Sequence, residues 1–265
     1  MKFSALAKKR GGLTIPVKGV GGDWIVKLPA QNYAHVPENE YAIMDLASRI
    51  GIPVPEIKLV SLTSIENLPQ MGVLAGRMAL AVKRFDRTST KQRIHIEDFA
   101  QVYNVSPDKK YEGANFSALA SMIWILTGTV GLTDFVRRLT FTILTGNGDM
   151  HLKNWSFIYP DGKMPILAPA YDLLSTVPYI PHDGLALKLF DTKEMKAIGL
   201  EHFMALAKKA QVPEHLVLQT VRDTVAATFS AWRENAKHYD LSRSIRESIH
   251  AHMLSLNLCK EKGLV

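Results

Sequence analysis

The chain has 265 residues, of which 47% are hydrophobic, so it can bury a large core in one domain or in two lobes. Its single cysteine, Cys259, excludes an internal disulfide and a cysteine-based metal site, which fits a reducing cytoplasm. A formal net charge of +7 favours acidic partners, nucleic acid among them, or serves solubility alone. The longest apolar run, residues 118–126, is too short to span a membrane, so we expect a cytoplasmic protein without membrane contact.

The first thirty residues predict short strands and turns. Residues 2–6 and 13–17 are predicted strands, joined by the basic turn at residues 8–12 as in a hairpin. The glycine-rich residues 19–22 match neither common phosphate-loop pattern, because Trp24 stands where the third glycine would fall. We therefore interpret them as a tight turn.

A lysine lies within the next predicted strand, residues 24–28, among apolar neighbours. In a kinase-like small lobe, a strand lysine reaches the α- and β-phosphates of ATP and is steadied by a carboxylate on the adjacent helix. Lys27 fits the first role, and Glu40, in the predicted helix at residues 39–50, fits the second. Alternatively, Glu40 only stabilises the first helical turn through the helix dipole.

The remaining elements divide into strands followed by helices. Residues 57–62 and 78–85 predict two strands, and residues 155–159 and 166–168 predict a later hairpin. Apolar residues at helical spacing predict helices at residues 99–102, 116–126, 132–144, 201–209, 213–233 and 242–258. Thr133 and Asp134 offer capping chemistry for the third of these helices.

Residues 146–154 crowd an acid, an imidazole, an ammonium and an amide into one short turn. Asp149 and Asn154 have the D-x-x-x-x-N spacing of a protein-kinase catalytic loop, in which the acid deprotonates the acceptor hydroxyl and the amide holds magnesium. Asp172 ends the following hairpin, where a second metal-binding acid is expected. Lys153 would offset phosphate charge, whereas His151 could touch phosphate, orient the acid or bond to the backbone.

Taken together, these motifs resemble the C-terminal kinase domain of the HipA family, bacterial serine/threonine kinases of toxin–antitoxin systems. N-G-D-M-H-L-K-N and A-Y-D-L-L-S carry the resemblance, and W-I-V-K-L-P, N-E-Y and V-K-R-F-D-R precede them in the same order. The resemblance implies an α+β, two-lobed protein-kinase-like fold. Its small strand-rich N-terminal lobe would cover residues 1–87, and its larger helical C-terminal lobe residues 88–265.

The same resemblance implies transfer of phosphate from ATP, with Mg²⁺, to a serine or threonine hydroxyl. Asp149 would be the catalytic base, and Asn154 and Asp172 would bind the metal. Residues 83–85 would form the hinge against adenine, although a solvent-facing charge and a core aromatic are the alternative there. The nucleotide-binding set is then Lys27, Glu40, Lys83, Phe85, His151, Lys153, Asn154 and Asp172.

Partners also follow from the resemblance. It implies a protein substrate, which in characterised relatives is an aminoacyl-tRNA synthetase, and an antitoxin protein through which nucleic acid is contacted indirectly. Relatives carry a phosphate loop with glycine and serine, and an N-terminal subdomain, before the segment matched by residues 2–5. We therefore expect the sequence to begin inside the kinase core, with Met1 as an internal methionine, and to transfer phosphate poorly by itself.

Three other functions remain open from the residues. Asp149 and Asp172 could form a glycosidase-like carboxylate pair, which leaves Lys153 and Asn154 without roles. A small-molecule kinase of the aminoglycoside or choline type shares the same loop and the second acid. A catalytically impaired nucleotide-binding module could act through an antitoxin–DNA complex.

Overall fold

The computed structural model describes residues 1–8, 12–16, 21–69 and 72–260. Within them, strands dominate the N-terminal part and helices the C-terminal part, as the sequence predicts. The basic turn at residues 8–12 and the glycine-rich residues 19–22 lie partly outside the described residues, so these two predictions stay predictions.

The N-terminal lobe is built on a six-stranded sheet with the order β4-β6-β3-β1-β2-β5. Its strands are β1 (Lys2–Ala7), β2 (Leu13–Thr14), β3 (Trp24–Lys27), β4 (Ile57–Ser61), β5 (Ile65–Glu66) and β6 (Met78–Lys83). The central strand, β3, pairs antiparallel with β1 and β6. Trp24 and Val26 are buried in a small core on one face, so alternation along the strand places Ile25 and Lys27 on the other.

Helix α1 (Val36–Arg49) packs against β4 and β6 and begins three residues before its predicted start. Pro37 lies in its first turn, where the missing N–H of proline costs no helical hydrogen bond. Asn39 and Glu40 therefore lie within the helix and are buried, together with its apolar face.

The C-terminal lobe contains a second sheet, in the order β7-β8-β9, and most of the helices. The strands are β7 (His95–Asp98), β8 (Ser156–Tyr159) and β9 (Ile166–Leu167). The helices are α2 (Phe99–Val102), α3 (Phe116–Thr145), α4 (Leu200–Ala210), α5 (Glu214–Asn235), α6 (Arg243–Ser255) and α7 (Asn257–Lys260). The central helix, α3, packs against α4, α5, α6 and β9, so the main hydrophobic core surrounds it.

Helix α3 joins two segments that the sequence predicts separately. Gly128, at φ 62° and ψ −150°, interrupts the helical backbone between them. Asp134 does not cap the second segment: its Oδ1 accepts a hydrogen bond of 2.8 Å from Nε of Arg138, one turn later in the same helix. By length and composition α3 could cross a membrane, with a mean hydropathy of 1.5 in its most apolar window, of which 39% is buried. Its break at Gly128 and its packing against other helices are typical of a core helix.

The end of α3 sets the position of the acid-rich loop. Gly146 ends the helix in the left-handed region, at φ 67°, and its N–H bonds to the carbonyl of Ile143. The chain then turns through residues 147–154 and enters β8. This sharp exit brings the loop to the edge of the helical lobe that faces the N-terminal sheet.

Candidate active site

A cavity of about 990 Å³ lies between the two lobes. Ile25 and Val82 of the N-terminal sheet line one side, and residues of the 149–154 loop line the other. Every residue predicted for the site lines this cavity, namely Lys27, Glu40, Lys83, Phe85, Asp149, His151, Lys153, Asn154 and Asp172. The structure thus brings together side chains that are up to 145 positions apart in sequence.

An ion-paired triad joins the lobes within this cavity. The ammonium of Lys27 hydrogen-bonds to both the Glu40 and the Asp172 carboxylates, and the Glu40 side chain is only 6% exposed. Burial alone lowers the pKa of Lys27, but attraction to Glu40 and Asp172 outweighs burial and raises that pKa above its ordinary value. For Asp172, burial opposes ionisation, yet the neighbouring ammonium of Lys27 lowers its pKa. Lys27 and Asp172 are therefore charged at neutral pH, whereas burial and the nearby Asp172 carboxylate raise the pKa of Glu40 above its ordinary value, against the attraction of Lys27.

Asp172 has an unusual backbone conformation for a residue other than glycine. Its φ is 56°, in the left-handed region, and Nδ2 of Asn147 donates a 3.4 Å hydrogen bond to its carbonyl oxygen. Such a conformation costs free energy and is common at functional sites. Here it accompanies the turn that carries the carboxylate from the end of the β8–β9 hairpin to Lys27.

Hydrogen bonds within the loop hold the backbone of Asp149. Its N–H donates to Oδ1 of Asn147 at 3.0 Å, and its carbonyl accepts from Nδ2 of Asn154 at 2.8 Å. The Asp149 carboxylate itself is 49% exposed and accepts a 2.6 Å hydrogen bond from the phenol of Tyr111. The loop thus presents an accessible carboxylate on a fixed backbone.

His151 lies beside that carboxylate but outside hydrogen-bond range. Its Nε2 is 3.9 Å from Oδ1 of Asp149, and within the described structure its buried Nδ1 has no hydrogen-bond partner. Burial lowers the pKa of His151 below its ordinary value, so the neutral imidazole is favoured. The sequence left open that His151 is a structural imidazole bonded to the backbone. Among the described residues, Nδ1 makes no such bond.

In the predicted hinge, the main chain of Lys83 is already hydrogen-bonded, whereas the ring of Phe85 is available to a nucleotide. The main-chain N–H of Lys83 already donates to the carbonyl of Glu56 at 2.8 Å, and its ammonium pairs with the exposed Glu56 carboxylate, also at 2.8 Å. That N–H is therefore not free to bond adenine. Phe85 lies on the cavity wall with its ring centroid 5.7 Å from that of Tyr171, an aromatic surface suited to a flat base.

Tyr171 supports the loop through its hydroxyl. Its hydroxyl donates to the carbonyl of Lys153 at 2.9 Å and also bonds to the hydroxyl of Ser156. Burial raises the pKa of Tyr171, so the phenol stays protonated and remains a donor. These contacts fix the segment that carries Lys153 and Asn154 against β8.

The oxygen atoms of the cavity suit a hard divalent cation. No group of three His, Cys, Asp or Glu side chains within residues 1–8, 12–16, 21–69 and 72–260 could hold a metal by itself. Asp172 and Asn154 both line the cavity and supply one carboxylate and one amide oxygen. Magnesium commonly takes only one or two carboxylates from the protein and completes its shell with waters and substrate phosphates. The residues present therefore fit magnesium held jointly with a nucleotide.

Three side chains of the site were not predicted from the sequence. Asn39 and Asn147 hold the Asp172 segment, and Tyr111 contacts Asp149. Asn39 is part of the N-E-Y motif, but its partner Ser175 is 136 positions away, and no local pattern links the two. Asn147 lies within the loop motif itself, so the loop sequence did contain a signal for it.

The protein has a protein-kinase-like fold. A strand-rich lobe and a helical lobe enclose a cleft, and the cleft contains the Lys27 triad and the 149–154 loop. The family model for the HipA-like C-terminal domain matches residues 1–232. The chain therefore belongs to the HipA-like family.

Two named relatives show how much of the chain is shared. The chain is 48% identical over 265 residues to "Putative kinase Y4dM" of Sinorhizobium fredii, covering 98% of this chain and 64% of that protein. It is 29% identical over 213 residues to the serine/threonine-protein kinase toxin HipA of Shewanella oneidensis, covering 72% of this chain and 46% of that protein. The chain thus spans less than two thirds of the length of these relatives.

Solved structures confirm the fold. The Shewanella oneidensis HipA chain, solved with HipB and its operator DNA, matches 96% of this chain with a TM-score of 0.76 at 22% identity, over 61% of its own length. The Helicobacter pylori proinflammatory kinase CtkA matches 94% of this chain with a TM-score of 0.51 at 15% identity, over 87% of its own length. The predicted two-lobed kinase-like fold is therefore correct, while the lobe boundary at residue 87 stays a prediction.

Proposed function

We propose that this chain is an ATP- and magnesium-dependent serine/threonine protein kinase that acts in the cytoplasm. The ion-paired triad Lys27–Glu40–Asp172, which lines the same cavity as Asp149 and Asn154, carries the proposal. A glycosidase-like carboxylate pair would leave this ion-paired lysine without a use. A kinase uses it to neutralise phosphate charge.

Each side chain then has one task. Lys27, kept in position by Glu40, contacts the nucleotide phosphates, and Lys153 adds a second positive charge at the cavity wall. Asp172 and Asn154 would hold a magnesium ion, which would supply charge neutralisation on the phosphates. Asp149 orients the acceptor hydroxyl and accepts its proton.

For biological role, we propose the toxin of a HipA-type toxin–antitoxin system. The relative solved with HipB and operator DNA supports an antitoxin as partner, with nucleic acid contacted only through that partner. We extend the family expectation of an aminoacyl-tRNA synthetase as substrate to this chain, with arrest of translation as the result. The family membership and the kinase toxin among the relatives support this role.

Nucleotide titration tests the metal and phosphate roles. ATP is titrated into the chain by calorimetry with and without magnesium, using the wild type and Asp172→Asn. We expect binding to tighten with magnesium in the wild type and to lose most of that magnesium dependence in the variant, because one of two protein ligands changes from a carboxylate to an amide. Equal, weak binding under both conditions in the wild type would contradict these roles.

Phosphate transfer tests the catalytic role of Asp149. Radiolabelled ATP is incubated with the chain and a bacterial lysate, and labelled proteins are separated and identified. Asp149→Asn should abolish transfer but leave ATP affinity nearly unchanged, because the base acts on the acceptor. A loss of less than tenfold, about 1.4 kcal/mol of barrier, would rule out this assignment. ATP binding without any transfer by the wild type would instead support the nucleotide-binding module.

A further inference from the structure

The Asp149 carboxylate has one side-chain hydrogen bond in the described part of the chain. The phenol of Tyr111 donates to its Oδ1 with an Oη to Oδ1 distance of 2.6 Å. Of the atoms of Asp149, the Asn154 side chain contacts only the main-chain carbonyl. Nε2 of His151 is 3.9 Å from Oδ1 of Asp149, outside hydrogen-bond range. The orientation of this carboxylate therefore depends on Tyr111.

Tyr111 is itself fixed to the loop that carries Asp149. Its ring meets that of His151 edge-on, with centroids 5.3 Å apart and an interplanar angle of 79°. The carbonyl of Lys110, the preceding residue, accepts a 3.2 Å hydrogen bond from the N–H of Leu152. The ammonium of Lys110 lies 4.9 Å from the centroid of the Tyr111 ring. The phenol, its ring and the adjacent main chain are thus all attached to the site.

The contact leaves room for a substrate. The Asp149 side chain is 49% exposed and lines the cavity, and Tyr111 bonds to Oδ1, so Oδ2 remains available to an acceptor hydroxyl. Burial and the hydrogen bond to Asp149 raise the pKa of Tyr111 to about 12. The phenol therefore stays protonated and donates throughout the physiological pH range.

We propose that Tyr111 is a positioning residue for phosphoryl transfer, whose phenol holds Oδ1 of Asp149 so that Oδ2 faces the acceptor hydroxyl. The inference rests on the proposed function, because it assigns Tyr111 a task only if Asp149 is the base. A general base must lie within about 2.6–3.2 Å of the hydroxyl that it deprotonates. A carboxylate that rotates freely meets this requirement for a smaller fraction of the time. An error of about 1 Å in such alignment can cost a hundredfold in rate.

The test compares Tyr111→Phe with the wild type in the transfer assay, using a labelled lysate protein as acceptor and ATP at varied concentration. We expect kcat to fall on the order of tenfold to a hundredfold, while KM for ATP changes less than about twofold. Replacing Tyr111 by 3-fluorotyrosine, which keeps the hydroxyl, should restore at least half of the lost activity. Tyr103→Phe is the matched control, since within the described residues the Tyr103 phenol is influenced by burial alone and its ring packs against Phe99. It should leave kcat unchanged.

Each other result overturns the inference in a recognisable way. An increase in transfer by Tyr111→Phe would show that the phenol blocks the acceptor position. An unchanged kcat would show that Asp149 needs no such support, and a change confined to ATP affinity or thermal stability would show a purely structural role. If the wild type transfers no phosphate at all, the proposed function fails together with this inference. An active wild type beside an equally active Tyr111→Phe refutes the inference alone.

Discussion

Replacing Asn39 with alanine should both loosen the lobe junction and destabilise the fold. The fully buried Asn39 amide donates to the carbonyl of Ser175 at 2.9 Å and accepts from its N–H at 3.1 Å, and it also donates to the Tyr179 hydroxyl at 3.2 Å. Alanine leaves the buried N–H and carbonyl of Ser175 unpaired, at about 1–3 kcal/mol each. We therefore expect a loss of about 2–6 kcal/mol in the free energy of unfolding.

Urea unfolding followed by tryptophan fluorescence measures that loss, with the exposed Asn32→Ala as the matched control. Ser175 is three residues after Asp172, so Asn39→Ala should also weaken magnesium-dependent ATP binding at urea concentrations where the protein is still folded. A variant that unfolds within about 0.5 kcal/mol of the wild type, like a typical surface substitution, would refute the reasoning.

Two further substitutions probe the loop and the helical lobe. Gly148→Ala places a Cβ onto the Asp183 carboxylate, which must move and lose its hydrogen bond from the Thr176 hydroxyl; we expect the free energy of unfolding to fall by about 0.5–1.5 kcal/mol in thermal or urea melts, whereas Gly21→Ala, which meets open space, should not lower it. Burial lowers the pKa of His252, so the folded state prefers the neutral imidazole. The contribution of His252 to the free energy of unfolding is therefore complete above about pH 6.5 and falls as the pH decreases below that value. In urea melts between pH 5 and 7.5, His252→Gln should reduce this acid sensitivity, while the exposed His250→Gln should leave it unchanged; equal slopes for all three proteins would contradict the assignment.

The parts of the site that the sequence predicts are those set by short spacing. Asp149 and Asn154 lie five positions apart in one turn, and Asp172 follows a hairpin whose two strands have clear β-branched and aromatic composition. Lys27 stands out because a cation interrupts an apolar strand. In each case a few consecutive residues indicate the chemistry. The fold then has to bring together only three segments, those that carry Lys27, the 149–154 loop and Asp172.

The contacts that sequence reasoning missed are long-range or depend on backbone detail. Tyr111 is 38 positions from Asp149, in a segment without periodic apolar residues, so nothing local indicates its partner. The sequence predicts that Asp134 caps a helix, but its carboxylate binds Arg138 instead. Arg138 lies four residues later in the same helix, where a charged side chain can reach it. The early start of α1 follows from Pro37, which begins helices as readily as it ends them.

The charge balance of the Lys27 triad argues for a ligand-binding role rather than a stabilising one. The attraction within a buried ion pair barely offsets the free energy lost when both charges leave water. Apolar side chains of similar size would therefore stabilise the lobe junction as well or better. In the triad two carboxylates share one ammonium, and burial together with the nearby Asp172 carboxylate raises the pKa of Glu40. Lys2, which lines the cavity, acts on both carboxylates only through space. A site that crowds two carboxyl groups against one fixed ammonium, with Asp172 ionised, is matched to a divalent cation and phosphate bound together, which is the combination that the proposed kinase requires.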